Sequence, residues 1–441
     1  MLKKILIANR GEIAVRIIRA CRELGISTVA IYSEADKYAL HTQMADEAVC
    51  VGGPQSKDSY LNMTNILSAC VLTGCEGIHP GFGFLSENPK FAKMCEECNI
   101  KYIGPDYKII ELMGNKAKAR EVMKKANVPV VPGYEGEITS VSQALEIAKE
   151  IGFPVMIKAA AGGGGKGIRI VNEEGEFEHN YNAAKLESKA CFSDDRIYIE
   201  KFIQKPRHIE FQILADEYGN TIHLGERECS LQRNNQKVLE EAPSTFLNPK
   251  LREKMGEVAK CAAKAVNYKN AGTIEFLVDK DCNFYFMEMN TRIQVEHPIT
   301  EMVTGVDIVK EQLKIASGKK LDLIQDDICI SGNAIECRIN AEDTDNNFRP
   351  SPGLIKELYI PSGPGVRVDS AIYSGYEIPP YYDSMIGKMI TYGATRDEAI
   401  IKMKRALGEF AIGGVKTNID FQYSILNNID FVKGNYDTSF I

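Results

Sequence analysis

A run of four glycines at positions 162–165 lies between Lys158 and Lys166. Such a run cannot pack a core and costs conformational entropy, so we interpret it as a functional loop. Its bare backbone N–H groups can close around an anion, and the two lysines add positive charge. A flexible hairpin tip is the alternative interpretation, but lysines on both sides favour phosphate. The loop is not a Walker A motif, because Ala160 and Gly167 occupy positions where that motif needs other residues. The sequence predicts a mobile glycine lid over a nucleoside triphosphate.

Two glutamates fall on the strands of a second predicted hairpin. Glu275 lies in the middle of one strand, and Glu288 shares a face of the other with Asn290. A five-residue turn, 279–283, makes the two carboxylates cross-strand neighbours within one residue of register. Neighbouring carboxylates repel each other unless a cation lies between them, and hard oxygen ligands select Mg²⁺ or Mn²⁺. Two solvated glutamates are the alternative, but the flanking positions are apolar, so we predict a metal site.

The segment after this hairpin alternates Arg292, Gln294 and Glu296 along one face. A guanidinium can hold a small oxyanion through two hydrogen bonds, and a nearby carboxylate can remove a proton from that anion. A surface strand of ion pairs is the alternative interpretation. Further polar and basic candidates are His208, Glu210, Gln212, Gln232, Arg233, Gln236, Lys237 and Arg338.

The elements that must position these groups begin with an alternation of short apolar runs and helical patterns. Such a βαβ series predicts a parallel sheet with helices on its faces. The predicted strands are 3–8, 28–33, 47–52, 77–79 and 101–104, and the predicted helices are 12–24, 60–72, 89–98 and 115–126.

From residue 131 the pattern changes. Helices at 140–151 and 173–189, the glycine hairpin and a strand at 196–203 form a small predicted lid. From His208 onward the pattern is antiparallel, with hairpins across 208–227 and 273–289, then short strands and a helix at 395–410. We therefore expect an α/β fold (α+β overall) with a parallel N-terminal sheet and an antiparallel C-terminal part.

Composition excludes several classes of protein. The chain has 441 residues and a net charge of −7, which argues against broad nucleic-acid binding. No apolar run reaches membrane-spanning length, so we expect no membrane segment and a cytoplasmic location. Cys95 and Cys98 have CxxC spacing, but they fall in a helical pattern, so buried small side chains are the default for the 12 cysteines.

Five motifs occur together in the order of one known family. They are the segments 8–14 (ANRGEIA), 79–88 (HPGFGFLSEN), the glycine hairpin, 288–298 (EMNTRIQVEHP) and 381–387 (YYDSMIG). On these motifs the chain resembles biotin carboxylase, an ATP-grasp enzyme, over nearly its whole length. The resemblance implies an N-terminal Rossmann-like, pre-ATP-grasp domain (1–130), an ATP-grasp lid (131–203), an ATP-grasp catalytic core (204–330) and a biotin carboxylase C-terminal domain (331–441).

The resemblance also implies a two-stage ligase reaction. ATP phosphorylates bicarbonate to carboxyphosphate, which breaks down to CO₂ and phosphate, and the N1′ nitrogen of biotin then attacks CO₂. The implied substrates and cofactors are ATP, Mg²⁺ or Mn²⁺, bicarbonate and biotin. The chain has no Ala-Met-Lys-Met biotinylation site, so a separate biotin carboxyl carrier protein and carboxyltransferase subunits are implied, as is a homodimer. The expected parent is acetyl-CoA carboxylase, in fatty acid biosynthesis; the alternative is the ATP-using subunit of a two-subunit pyruvate carboxylase, or of another acyl-CoA carboxylase.

Family roles carry over to matching residues. The resemblance implies that Glu296 is the base that deprotonates bicarbonate and that Arg338 stabilises the biotin enolate, with Phe82 in the biotin pocket. The implied bicarbonate cradle is Lys237, Arg292, Gln294, the backbone of Val295 and Glu296, and the implied metal ligands are Glu275, Glu288 and Asn290. The implied ATP contacts are Lys116, Lys158, Gly163, Gly164, Gly165, Lys166, Glu200, Lys201, Ile203, His208, Gln232, Glu275 and Glu288.

Three positions depart from the family pattern. The family commonly has His where Asn235 stands, Tyr where Phe82 stands and an aliphatic residue where Thr438 stands. These changes concern a nucleotide contact, a hydroxyl near the biotin pocket and a neighbour of the adenine. None of them touches the implied metal ligands, the base or Arg338, so we expect activity.

Other classes of protein are less consistent with the sequence. The large subunit of carbamoyl-phosphate synthetase also makes carboxyphosphate, but it duplicates its synthetase unit, and this chain has no repeat. A non-enzymatic relative would be indicated by loss of Glu296, Lys237 or Arg338, and all three are present. A dehydrogenase would need the glycine fingerprint after the first strand, where only Gly11 occurs.

Overall fold

The computed structural model describes residues 1–134, 138–159, 168–192 and 197–441. These residues divide into two compact units, and each is described by itself. The larger unit contains Met1–Val128, Arg207–Phe276 and Glu288–Ile441, and the smaller contains Pro129–Pro206 and Leu277–Met287.

A parallel sheet with flanking helices begins the larger unit. Its elements are β1 (Lys4–Ile7), α1 (Gly11–Glu23), β2 (Ser27–Ser33), α2 (Leu40–Met44), β3 (Glu47–Gly52), α3 (Met63–Leu72), β4 (Gly77–His79), α4 (Pro89–Glu97), β5 (Lys101–Tyr102), α5 (Tyr107–Gly114) and α6 (Lys116–Lys125). The strand order is β3-β2-β1-β4-β5, and every pairing is parallel. Ile5, Leu6 and Ile7 are fully buried, as expected for a strand covered on both faces. The predicted βαβ series is confirmed.

The smaller unit contains a three-stranded antiparallel sheet and two helices. Its elements are α7 (Val141–Ile151), β6 (Val155–Ala159), β7 (Ile168–Val171), α8 (Phe177–Phe192) and β8 (Ile197–Lys201). The strand order is β7-β6-β8, and its core includes Ile147, Ile157, Phe177 and Ile199. The glycine tip between β6 and β7 lies outside the described residues, so its conformation stays a prediction.

A long set of strands and helices follows, and all of it belongs to the larger unit except Leu277–Met287, which end β12 and begin β13. The elements that carry polar side chains are β9 (Arg207–Ala215), β10 (Thr221–Arg233), β11 (Gln236–Ala242), α9 (Pro249–Ala265), β12 (Asn270–Val278), β13 (Phe284–Asn290), α10 (His297–Thr304), α11 (Ile308–Ala316) and β14 (Asn333–Asn340). The C-terminal elements are β15 (Glu342–Asp343), β16 (Arg349–Pro350), β17 (Gly353–Leu354), β18 (Glu357–Tyr359), β19 (Val366–Ser370), β20 (Glu377–Ile378), β21 (Met385–Gly393), α12 (Arg396–Glu409), β22 (Ala411–Gly413), α13 (Ile419–Asn427) and α14 (Ile429–Val432).

One eight-stranded sheet joins most of these strands. Its order is β13-β12-β9-β10-β11-β14-β21-β19. The pairings of β11 with β14 and of β14 with β21 are antiparallel, so the sheet continues without a break past residue 330. The remaining short strands pair as β15-β16, β17-β20 and β18-β22. Among the described helices, none is both long enough and apolar enough to cross a membrane.

Two predicted features differ from the structure. Strand β10 does not end at residue 227 but continues to Arg233, and the chain then turns through Asn234 and Asn235 into β11. The alternation of Arg292, Gln294 and Glu296 is not a strand, because β13 ends at Asn290 and α10 begins at His297. The intervening residues form bends and turns, which bring these side chains together in another way.

Candidate active site

The central strands carry a row of buried polar side chains. On β9, His208, Glu210 and Gln212 occupy alternate positions, so they share one face of the sheet. Strand β10 places Arg227 opposite Glu210 in the antiparallel register. These polar residues are almost completely buried, which a stable fold allows only when their groups are paired.

Arg227 donates hydrogen bonds to several of these buried polar groups. Its Nε donates to Glu210 Oε1 at 2.6 Å, and its NH1 donates to Gln212 Oε1 at 2.8 Å and Thr300 Oγ1 at 3.0 Å. Its NH2 donates to Thr273 Oγ1 at 3.1 Å. The guanidinium therefore fixes one oxygen of Glu210 and leaves the other for a second cation.

Lys237, at the start of β11, is that second cation. Its Nζ donates to Glu210 Oε2 at 2.6 Å, to Glu296 Oε1 at 2.7 Å and to Glu275 Oε1 at 3.0 Å. Burial would lower the pKa of this ammonium, but the three carboxylates outweigh burial and hold the pKa well above 10.5. Its three N–H donors are matched by three carboxylate oxygens, so Lys237 is charged and held in one position.

Glu296 occupies the N-cap position of α10 and is fully buried. Its Oε1 accepts from Lys237, and its Oε2 accepts from Arg338 NH2 at 3.0 Å. Burial would raise the pKa of this carboxyl, but Lys237, Arg338 and Arg227 together hold it well below 4.5. A carboxylate held by two cations is ionised but is a weak base, so withdrawal of Lys237 would strengthen it.

Arg338 lies on β14 and is held from its other side by Glu240 of β11. Its Nε donates to Glu240 Oε1 at 2.7 Å, and its NH2 lies 2.6 Å from the same oxygen. Burial acts to lower the pKa of the guanidinium, but Glu240 and Glu296 outweigh it and raise that pKa. Arg338 and Lys237 both line a small cavity of about 30 Å³ beside the ring of Phe348.

His208, Gln232 and Glu275 form the next part of the site. The amide Nε2 of Gln232 donates to the carbonyl of Cys229 at 2.9 Å and lies 2.7 Å from His208 Nδ1. An amide nitrogen can only donate, so Nδ1 accepts and the proton of the neutral ring sits on Nε2. That Nε2 lies 2.9 Å from Glu275 Oε2. Burial would raise the pKa of Glu275, but Lys237 and His208 hold it well below 4.5.

Arg292 connects the segment after β13 to this network. Its NH1 donates to Gln294 Oε1 at 2.7 Å and its NH2 donates to Asn290 Oδ1 at 2.8 Å. Its Nε donates to Glu87 Oε2 at 3.0 Å. Gln294 in turn donates through Nε2 to Glu275 Oε1 at 3.0 Å. The predicted oxyanion cradle is therefore one connected set, although its residues do not lie on a strand.

The three predicted metal ligands have different surroundings. Glu275 is buried and takes hydrogen bonds from Lys237 and Gln294. Glu288 has a half-exposed side chain, and its Oε2 lies 3.4 Å from Lys116 Nζ. Asn290 is buried with its oxygen on Arg292. Two carboxylates and an amide oxygen are hard donors that suit Mg²⁺ or Mn²⁺, so the set fits such an ion in its chemistry.

The predicted nucleotide contacts are divided between the two units. In the smaller unit, Lys158 forms an ion pair with Glu200 across the β6-β8 pairing. Lys201 donates through Nζ to the carbonyls of Gly152 at 2.7 Å and Phe153 at 3.0 Å, and Ile203 is half-buried. Gly163, Gly164, Gly165 and Lys166 lie outside the described residues.

The structure shows the surroundings of the three residues that depart from the family pattern. Asn234 and Asn235 have φ angles of 51° and 63° and form the two-residue turn between β10 and β11, a conformation that Asn adopts readily. The ring of Phe82 lies 5.9 Å from Lys388 Nζ. Thr438 is half-buried near the C-terminal end of the chain.

Several residues of the network have no role predicted from the sequence: Glu87, Glu210, Arg227, Glu240 and Lys388. Lys388 is fully buried, and its Nζ donates to the carbonyl of Val295 at 2.7 Å. One signal could have found part of this set. An Asn-Asn pair between two strand-like runs is typical of a two-residue hairpin, which would have predicted β11 and with it Glu240.

Family profiles match three consecutive parts of the chain. The profile described as "Biotin carboxylase, N-terminal domain" matches residues 1–110. "Carbamoyl-phosphate synthase L chain, ATP binding domain" matches residues 115–324, and "Biotin carboxylase C-terminal domain" matches residues 336–441.

Individual proteins match over the whole chain. Biotin carboxylase 1 of Bacillus subtilis is 60% identical over 442 residues, which cover 100% of this chain and 98% of that protein. A pyruvate carboxylase subunit of Methanothermobacter thermautotrophicus is 54% identical over 100% of this chain and 90% of its own length. The crystal structure of the biotin carboxylase domain dimer of Hydrogenobacter thermophilus 2-oxoglutarate carboxylase, with MgADP, ADP and bicarbonate, has a TM-score of 0.91 and 53% identity. The match covers 100% of this chain and 97% of the Hydrogenobacter chain.

Proposed function

Because the chain belongs to the biotin carboxylase family, we propose that it uses ATP and bicarbonate to carboxylate biotin held by a separate carrier protein. The family is one of ATP-dependent carboxylating ligases. The assignment of roles depends on the contacts of Glu296. This fully buried carboxylate joins Lys237, which we assign to the first stage, to Arg338, which we assign to the second.

In the first stage, bicarbonate is held by Arg292, Lys237, Gln294 and the backbone of Val295. Bicarbonate is a poor nucleophile until it loses its proton, and Glu296 takes that proton. The resulting dianion attacks the γ-phosphorus of ATP, ADP leaves, and carboxyphosphate forms. Like charges must be offset before one anion can approach another, and Arg292 and Lys237 supply positive charge beside bicarbonate.

The ion pair between Lys237 and Glu296 controls this proton transfer. In the described arrangement Lys237 holds the pKa of Glu296 well below 4.5. When the anionic substrates enter, they compete with Glu296 for the ammonium. Weaker contact with Lys237 raises the proton affinity of Glu296, so substrate binding itself prepares the base.

Residues of the β12–β13 hairpin and of other elements are assigned to the nucleotide and its cation. Glu275, Glu288 and Asn290 would hold the divalent cation, and such an ion, when bound, offsets charge on the triphosphate. His208 and Gln232 contact ribose and phosphate, and Lys116 reaches phosphate from α6. In the smaller unit, Lys158 and residues 163–166 contact phosphate, and Glu200, Lys201 and Ile203 hold the adenine.

In the second stage, carboxyphosphate breaks down to CO₂ and phosphate, the released phosphate takes the N1′ proton of biotin, and the N1′ nitrogen attacks CO₂. A ureido nitrogen is barely nucleophilic until its oxygen develops enolate charge beside a fixed cation. Arg338 is that cation, because Glu240 and Glu296 hold its guanidinium from two sides. Phe82 lines the biotin pocket.

We also propose that the chain divides into four parts. Residues 1–130 form the N-terminal domain, 131–203 the lid, 204–330 the catalytic core and 331–441 the C-terminal domain. Carboxyphosphate hydrolyses in water, so a lid that closes on the nucleotide protects the intermediate. We propose a homodimer in the cytoplasm that acts with a biotin carboxyl carrier protein and carboxyltransferase subunits.

The parent complex that we propose is acetyl-CoA carboxylase, supported by the likeness to biotin carboxylase 1 of Bacillus subtilis. A two-subunit pyruvate carboxylase is the second candidate parent, supported by the likeness to the Methanothermobacter protein. Carboxylation rates with carrier proteins of the two enzymes, measured side by side, distinguish them. The carrier with the higher kcat/KM identifies the parent.

The proposed activity has a direct test. Phosphate release from Mg·ATP is measured with and without bicarbonate, and each condition is repeated with free biotin. We expect slow hydrolysis that needs bicarbonate and that accelerates with biotin. ATP hydrolysis that is indifferent to bicarbonate would exclude carboxyphosphate formation.

A further inference from the structure

Glu336 is a carboxyl group that the mechanism above does not use. It lies on β14 and is fully buried. Among the described residues, no donor forms a hydrogen bond to either of its side-chain oxygens. A buried ionised carboxylate without hydrogen bonds is strongly unfavourable, so Glu336 needs either a proton or a partner.

A candidate partner for Glu336 is Glu240. The antiparallel register of β11 and β14 places Glu240 directly opposite Glu336, and directly opposite side chains lie on the same face of the sheet. Glu240 uses only its Oε1 to hold Arg338, and its Oε2 is buried without a hydrogen-bond partner in the described part of the chain. One proton between the two carboxyls would satisfy both free oxygens.

The surrounding charges also favour a proton on Glu336. The cations that face this group are Lys237, Arg338 and Lys388, and the carboxyls are Glu12, Glu240, Glu296 and Glu336. Lys388 lies 3.2 Å from Glu12 Oε1, Lys237 holds Glu296, and Arg338 holds Glu240. Among the described residues no cation forms an ion pair with Glu336, and Lys388 already pairs with Glu12, so ionisation of Glu336 would leave a buried negative charge that is only partly compensated.

From the shared face, the free oxygens and the charges, we propose that Glu240 and Glu336 share one proton and together position Arg338. Glu336 is the neutral acid and donates to Oε2 of the Glu240 carboxylate, whose Oε1 receives the guanidinium. The pair then carries a single negative charge. Arg338 is held firmly by one anion but is not neutralised by two, so it keeps positive charge for the ureido oxygen of biotin.

The electrostatics of the two carboxyls agree with this arrangement. Burial raises the pKa of Glu240 to about 7, against the opposing effect of Arg338. Burial also raises the pKa of Glu336 well above 4.5, which Lys388 only partly offsets. Both shifts favour retention of a proton by this pair of carboxyls.

The inference rests on the proposed role of Arg338, and three substitutions test it. The readout is the ratio of carboxybiotin formed to phosphate released, together with kcat and KM for free biotin. Glu240→Gln should lower the ratio by roughly tenfold, because the charge-assisted hydrogen bond to Arg338 becomes an ordinary one. Glu336→Gln should keep the ratio within about twofold of wild type, because an amide N–H replaces the acid proton. Glu336→Leu cannot donate and should lower the ratio as Glu240→Gln does.

Glu241→Gln is the matched control. Glu241 is the next residue on β11, is also buried, and pairs with Arg396 instead of Arg338. It should change stability but not the ratio. Equal ratios in Glu240→Gln and Glu241→Gln would overturn the positioning role. A ratio that falls as far in Glu336→Gln as in Glu336→Leu would overturn the shared proton.

A spectroscopic measurement keeps the inference testable if a variant fails to fold. The infrared difference spectrum of wild type minus Glu336→Gln at neutral pH should contain the C=O stretch of a protonated carboxylic acid. A difference that contains only carboxylate bands would overturn the inference. If Arg338→Gln itself leaves the ratio unchanged, the proposed function of Arg338 fails instead, and the infrared band still reports on the proton.

Discussion

Replacement of Glu296 by Gln separates the two things that this carboxylate does. Glu296→Gln keeps the size of the side chain but only one acceptor oxygen, so it can accept a hydrogen bond from Lys237 or from Arg338 but not from both. It removes the negative charge and the affinity for a proton. We therefore expect a folded protein that binds nucleotide and cannot deprotonate bicarbonate.

The expected losses of turnover and of stability follow from the contacts that remain in Glu296→Gln. Loss of a general base lowers turnover by roughly 10²–10⁴-fold. Lys237 keeps Glu210 and Glu275, and Arg338 keeps Glu240, so neither cation is left without a partner. One charge-assisted hydrogen bond becomes an ordinary one and the other is lost, so the free energy of unfolding at neutral pH should fall by about 3 kcal/mol.

The stability difference should depend on pH. The pKa of Glu296 in the folded protein is well below its ordinary value of 4.5, so the unfolded state binds a proton at higher pH than the folded state does. Its stabilising contribution is complete above pH 4.5 and is lost as pH falls toward the folded pKa. The difference between wild type and Glu296→Gln should therefore be constant at neutral pH and shrink in acid.

The assay combines bicarbonate-dependent phosphate release, nucleotide binding and denaturant unfolding on the same preparations. Glu241→Gln serves as the control for loss of a buried charge outside the site. Wild-type turnover in Glu296→Gln would refute the assignment of the base. Loss of nucleotide binding together with turnover would show that Glu296 is structural.

Three further predictions concern the metal, the lid and the histidine. Glu275→Gln or Glu288→Gln should raise the Mg²⁺ concentration needed for ATPase activity, since each removes a hard ligand; unchanged metal titrations in both would make the hairpin structural. Backbone hydrogen exchange in residues 131–203 should slow on addition of Mg·ATP, and an unchanged pattern at saturating nucleotide would count against a closing lid. His208→Phe removes the contact with Glu275 and the acceptor for Gln232, so KM for ATP should rise more than kcat falls; an unchanged KM would remove His208 from the nucleotide site.

Local patterns in the sequence predict the N-terminal part of the fold well. Strand β4 has its predicted bounds, and the helix predicted at 12–24 lies within one residue of α1 at each end. These elements are apolar runs and amphipathic helices whose neighbours in the sheet are also close in sequence. Periodicity and turn residues are sufficient to find such elements.

The polar network could be predicted only in part, because it depends on pairing between distant strands. Glu240 lies opposite Glu336 although the two strands are far apart in the chain, and no local pattern specifies that register. The segment with Arg292, Gln294 and Glu296 has the pattern of an alternating face, but β13 ends at Asn290, and α10, with Pro298 in its first turn, places Glu296 at its N-cap. Motif spacing was sufficient to predict these residues, but their contacts depend on the tertiary structure.

We propose that the two half-reactions use different residues of one site. The most direct test measures phosphate release and carboxybiotin yield on the same samples of Arg338→Gln and Lys237→Gln. Arg338→Gln should lose most carboxybiotin formation yet keep slow, biotin-independent ATP hydrolysis, because its charge is needed only when the biotin oxygen becomes negative. Lys237→Gln should lose both activities, because it acts before carboxyphosphate exists. If folded Arg338→Gln loses both activities in proportion, Arg338 serves phosphoryl transfer and the division of the site is wrong.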